Sequence, residues 1–227
     1  MTQTPFRLDL APPFLIVRFE NRQRTLGWSI TKPGFAWARE VVWLEVRDDD
    51  LGIHVDPLDF VRARLAPRGL ADAAAFVTSR EIARHHLAQS RVGGATVTCL
   101  TTVGLTNGEW VGTRRGRRDS AIGTINTLVH VSRPLSAGAF VEAVSIATQA
   151  RTAAIMKTND LRDGPAITGT GTDCILVAAP EGDAPETCAG LHTDLGEAIG
   201  VAVYDATYAG ATEWSAESKL NASISVE

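Results

Sequence analysis

Apolar and polar positions change their period along the chain. In the first third, three short apolar runs are rich in β-branched and aromatic residues: 13–19 (PFLIVRF), 25–30 (TLGWSI) and 40–47 (EVVWLEVR). Each is closed by a turn-forming stretch, ENRQ, TKPG or DDDLG, which predicts antiparallel strands in a meander. A helical or mixed segment follows over 57–68 (PLDFVRARLAPR), and 73–79 (AAAFVTS) fits either strand or helix. Residues 80–89 (REIARHHLAQ) read as a helix with Ile82 and Leu87 on its weak apolar side. Strong strands are predicted at 94–105, 123–131 and from Cys174 to Pro180. The clearest helix spans 135–157, where Phe140, Val144, Ala147, Ala150 or Arg151, and Ala154 recur near a 3.6-residue period. A last helix is predicted over 193–209, with Asp194 and Glu197 as a capping pair and Leu195, Ile199, Ala202, Val203 and Ala206 as its stripe. The tail from Glu213 onward carries little pattern. Early strands followed by strands alternating with long helices indicate a layered α+β domain, and no repeat or linker divides residues 1–227.

Composition narrows the function classes. A 44% hydrophobic share, 21% charged residues and a net charge of −4 are those of a water-soluble globular chain. No basic field points to nucleic acid or to an anionic membrane. No apolar run nears the ~20 residues of a membrane helix, and the N-terminus lacks the basic-then-apolar pattern of a signal peptide. Three cysteines, Cys99, Cys174 and Cys188, have no CxxC spacing, and the first two lie in apolar runs. Reduced buried thiols in a cytoplasmic protein fit this pattern. No HExxH or other metal-ligand spacing occurs. The oligomeric state is left open, a homo-oligomer included.

The candidate chemistry gathers at strand ends. The stretch ITGTGTDCILVAAP places Thr168, Gly169, Thr170, Gly171, Thr172 and Asp173 directly before an apolar strand. A phosphate loop would need a lysine and a following helix; this loop has neither, so a neutral hydrogen-bonding rim is the better reading, with a solvated turn as the plain one. Asp173 either caps the loop or orients a catalytic group. Thr124, after Gly123 at the head of a strand, could expose a nucleophile, or could simply express the β-propensity of threonine. Asn126 falls on the same strand face as Thr124 and could donate to an oxyanion. His192, before the last helix, could serve as a base or as a cap. Arg114, Arg115, Arg117 and Arg118 read as a solvated loop.

Four ordered blocks between Thr96 and Ala206 carry a family resemblance: TTVGLTNGEWVG, GTINTLVHVSRPLSAGAFVEAVSIATQARTAAI, GPAITGTGTDCILVAAP and CAGLHTDLGEAIGVAVYDA. Together they resemble the adenosylcobinamide amidohydrolase (CbiZ) family. The N-terminal third departs from the family pattern, with LGWSITKPGF in place of a serine-rich Asn-Gly-Gly segment and Trp43 in place of an asparagine. The resemblance implies a hydrolase of corrinoid salvage with no cofactor of its own, the cobalt belonging to the substrate. A more distant likeness, to the self-processing aminopeptidases of the DmpA group and the ornithine acetyltransferases, implies an αββα layering and a nucleophile at Thr124 freed by cleavage after Gly123. Within this frame Thr124 is expected to act as nucleophile or to position water. Asn126 and the amides of Gly169, Thr170, Gly171 and Thr172 would hold the oxyanion, and Asp173 would orient or act as base. His192 would be a further acid/base, and Thr102 and Asn107 would line the pocket. The competing functions are an N-terminal-nucleophile amidase or acyltransferase and a non-catalytic corrinoid-binding protein.

Overall fold

A computed structural model describes residues 4–52, 54–113, 123–162 and 164–224; the arginines of 114–118 lie outside them. The strands are β1 (Arg7–Ala11), β2 (Phe14–Trp28), β3 (Pro33–Glu45), β4 (Ala74–Thr78), β5 (His85–Val92), β6 (Ala95–Val103), β7 (Gly108–Glu109), β8 (Ile125–Val131), β9 (Gly169–Thr170) and β10 (Cys174–Ala179). The helices are α1 (Pro57–Leu65), α2 (Ala137–Lys157) and α3 (Asp194–Ile224). One mixed sheet runs β4-β3-β2-β10-β8-β6-β5, with β1 on the N-terminal half of β2. Pairs β3–β4 and β8–β10 are parallel. The α+β class expected from the sequence is the observed one.

The side-chain alternation shows how this sheet is layered. Both faces of its central strands are apolar, and successive residues enter different cores. Cys99, Val129, Val131, Ile175, Val177 and Ala179 pack under α2 and α3. Their neighbours Leu100, Leu128, Cys174, Leu176 and Ala178 meet Leu15, Val17, Val41, Trp43 and Phe76 from β2, β3 and β4. The other faces of those strands, Phe14, Ile16, Val42 and Leu44, pack with Val61 and Leu65 of α1. The sheet therefore folds over itself, and the layers run helices, sheet, sheet, helix. Truncating Leu100 or Leu128 in the middle slab would cost about 2–5 kcal/mol.

Several predicted elements change form. Segments 13–19 and 25–30 are one strand, β2. The stretch ENRQ is not a turn: the ladder with β3 shifts register between Arg18 and Gln23 and then continues. Segment 80–89 is not a helix. A short 3₁₀ turn (Ile82–Arg84) leads into β5, which pairs antiparallel with β6 along its whole length. That ladder outweighs a weak helical period. Segment 73–79 resolves as strand. The last helix continues to Ile224, because Ala211 and Ser215 are buried and Glu213 and Glu217 meet Arg80 and Arg84. Its N-terminal cap is Thr193, not Asp194: the Thr193 Oγ1 accepts from Gly196 N–H at 2.9 Å.

Candidate active site

The head of β8 lies at one end of the middle slab. Thr124, Asn126, Leu128 and His130 alternate onto its inner face, while Ile125, Val129 and Val131 face the helices. Across the strands, Asn126 stands level with Thr102 of β6 and Cys174 of β10, and Thr102 with His85 of β5. This row, His85–Thr102–Asn126–Cys174, forms one wall of the slab's mouth. The opposite wall is the end of β4: Asn126 Nδ2 donates to the Val77 carbonyl at 2.8 Å, using one of its two amide protons. Thr124 is 4% and Asn126 2% exposed. The buried Thr102 Oγ1 has no hydrogen-bond partner among the described residues. Burial pushes the Cys174 thiol up to about 12, so it stays protonated and is a poor nucleophile at neutral pH.

Thr124, Thr172 and Gly123 are joined by two hydroxyls. Thr124 Oγ1 donates to the Thr172 carbonyl at 2.8 Å, and Thr172 Oγ1 donates to the Gly123 carbonyl at 3.4 Å. Gly123 has no room for a side chain: a Cβ there would sit 2.7 Å from Thr106 N and 2.9 Å from Asn107 N. Asn107 also receives Gly171, whose N–H donates to its carbonyl at 3.2 Å. The pairing of β7 with β9 holds the hydroxyl-rich loop beside residues 104–109, and Thr168 bridges Glu109 and Val111. Thr102, Asn107, Thr124, Asn126 and Gly169 to Thr172 are thus neighbours in space.

Asp173 belongs to the same loop but turns the other way. Its carboxylate faces α2 and forms an ion pair with Arg151. It also accepts from Thr170 N–H at 2.9 Å, from the Thr170 hydroxyl and from Ile125 N–H at 3.1 Å. Burial raises its pKa, against the pull of Arg151, Thr170 and Ile125. Every partner is a donor, which fits the ionised carboxylate. With its oxygens so occupied, Asp173 holds the loop and the start of β8 in place and has no direct line to Thr124 Oγ1. Its own carbonyl accepts from Trp28 Nε1 at 2.6 Å.

His192 is not part of this cluster. It is exposed, one residue before Thr193, at the turn that lies with Ala95 and Arg133 around a cavity of about 210 Å³. Ala95 and Arg133 mark the far end of β6 and β8, about nine residues or roughly 30 Å of strand from Thr124. The separation arises because β10, parallel to β8, carries the chain from the mouth to the far end, where the loop before α3 then meets Pro134 and Ser136. The reverse also holds: His85 and Asn126 are two strands apart in the sheet, yet the helical reading of 80–89 concealed it. Among the described residues no group of three or more His, Cys, Asp or Glu side chains is placed to hold a metal ion. No described helix is long and apolar enough to cross a membrane.

No curated protein matches the chain. A crystal structure of the PH0078 protein from Pyrococcus horikoshii OT3 is similar over 87% of this chain and 76% of that one, with 11% identity and a TM-score of 0.46. The model of the family described as adenosylcobinamide amidohydrolase matches residues 2–219. A match across nearly the whole length, N-terminal third included, means that this chain belongs to the adenosylcobinamide amidohydrolase family and is an amide hydrolase.

Proposed function

We propose that the protein hydrolyses the amide joining the aminopropanol arm of adenosylcobinamide to a propionate side chain of the corrin, releasing adenosylcobyric acid for cobalamin synthesis. The observation that carries this reading is the family match over residues 2–219. The site supports it. A corrinoid is rimmed with neutral amides, and the site offers uncharged hydroxyls and carboxamides from Thr102, Asn107, Asn126 and the 169–172 loop. Amide hydrolysis needs a positioned nucleophile, a donor to the oxyanion and proton transfer to the leaving amine. Thr124 serves as nucleophile or positions the attacking water. Asn126 stabilises the oxyanion through its second amide proton, since the Thr170 and Gly171 amides are already donated to Asp173 and Asn107, and Asp173 is a positioning residue that holds the loop and the head of β8. The test is incubation with adenosylcobinamide, scored for cobyric acid and free aminopropanol. Binding without product would leave a corrinoid-binding protein instead. Full activity in both Thr124→Ala and Asp173→Asn would overturn these assignments.

One observation favours a second reading. The carbonyl of the Gly123–Thr124 peptide accepts from Thr172, and the Thr124 hydroxyl adjoins the same residue. That arrangement suits attack of Thr124 on its own preceding peptide, as in an N-terminal-nucleophile amidase. Denaturing mass spectrometry decides it: fragments meeting at Gly123 and Thr124 support cleavage, and an intact chain in active protein excludes it.

A further inference from the structure

Among the described residues, the cluster around Thr124 has no acid or base available, since Asp173 is occupied and His192 is remote. We infer that Glu45 and His85 form the proton-transfer pair of the amide hydrolysis, both oriented by the backbone of Ile82; this inference rests on the function proposed above. Ile82 N–H donates to Glu45 Oε2 at 3.1 Å, and the Ile82 carbonyl lies 2.9 Å from His85 Nδ1. A carbonyl only accepts, so Nδ1 carries a proton and Nε2 is the nitrogen that exchanges one. One buried residue thus holds a carboxylate on its N–H and an imidazole on its carbonyl.

Both side chains belong to the mouth already described. On β3, Trp43 faces the middle slab and Leu44 faces α1, so alternation turns Glu45 to the slab. Glu45 is level with Thr78 of β4, next to the Val77 carbonyl that holds Asn126. His85 is level with Thr102, which is level with Asn126. The contacts close a circuit: Asn126, Val77–Thr78, Glu45, Ile82, His85, Thr102 and back. Two strand spacings, roughly 10 Å, separate His85 from Asn126 along the wall. That span admits an amide group and a water molecule. The Thr102 hydroxyl, without a partner among the described residues, lies between them. The other charged groups of this corner are engaged with one another: Arg84 with Glu81, Arg80 and Arg84 with Glu213 and Glu217, and His86 with Glu213 on the helix side of β5.

Glu45 takes one proton from water as the water oxygen bonds to the amide carbon. The carbonyl becomes an oxyanion. As it reforms, the C–N bond breaks with its electron pair on nitrogen, and that nitrogen takes a proton from Nε2 of the His85 imidazolium. Solvent then returns the proton from Glu45 to His85.

The test uses the full chain with adenosylcobinamide, comparing Glu45→Gln and His85→Gln with wild type across pH. Each variant should lose about 10²–10³-fold in kcat with KM changed less than threefold and thermal melts unchanged. Wild type should give a bell-shaped profile, from which Glu45→Gln removes the acid limb and His85→Gln the alkaline limb. His86→Gln, on the other face of β5, should stay within twofold. Turnover within threefold of wild type in either folded variant overturns the pair. Unfolding of a variant is met by Glu45→Asp and His85→Asn, in which an unmoved pH profile likewise overturns it. A wild-type protein that releases no aminopropanol overturns the functional reading, and the pair with it.

Discussion

Two polar regions meet at the head of β8 and differ in how fully their carboxylates are satisfied. On the helix side, both oxygens of the Asp173 carboxylate are taken up by Arg151, Thr170 and Ile125, and the one group left over is Arg151 Nε, buried without a partner among the described residues. On the slab side, Thr102 Oγ1 is buried without a partner among the described residues, and Glu45 and His85 are each half-buried and tied by one atom to Ile82. A carboxylate with every oxygen occupied fixes geometry, whereas one with capacity left over can still exchange a proton. The loop's carboxylate is therefore a brace for the site, and the reactive face is the one toward the slab.

Stability measurements separate these regions. Asp173→Ala leaves the Arg151 guanidinium, 12% exposed, without its buried partner and should destabilise the fold by about 3–5 kcal/mol in denaturant titration. A loss below about 1 kcal/mol would erase the distinction between brace and mouth. His130 sharpens the comparison from inside the slab, where it stacks on Phe19. Burial lowers its pKa from 6.5 to about 4. The unfolded chain thus binds the extra proton between those values. Stability should be complete above pH 6.5 and fall as pH drops through 4, by about 3 kcal/mol in all. His130→Phe should flatten that limb in melts at pH 4 to 7. The smallest effect belongs to the mouth: Thr102→Val removes an unpaired hydroxyl and should leave stability within about 1 kcal/mol of wild type, or raise it. A larger loss in the same melts would mean that the hydroxyl is satisfied after all.

Legibility followed the kind of interaction involved. Helix α2 and strands β6, β8 and β10 were readable because their periods run over many residues and their side chains reach the core wherever the sheet goes. The shared face of Thr124 and Asn126 was readable for the same reason. The direction of Asp173 was not, since a loop residue has no period and its partner Arg151 sits on a different element. Strand β5 was missed because an edge strand on a half-covered face carries little alternation, and only its ladder with β6 makes it a strand. Glu45 was part of a correctly predicted strand, yet nothing local marks the end of β3 as a neighbour of Asn126.

By itself the sequence determined the α+β class, the family, and the neutral residues gathered around Thr124 and the 168–172 loop, since local periods and ordered motifs survive without contacts. Only the tertiary structure decided that the sheet folds back on itself with apolar side chains on both faces. That closure, driven by burial of the middle slab, brought Glu45 and His85 to the mouth, while pairing with Arg151 turned Asp173 away and the parallel run of β10 took His192 to the far end of the strands.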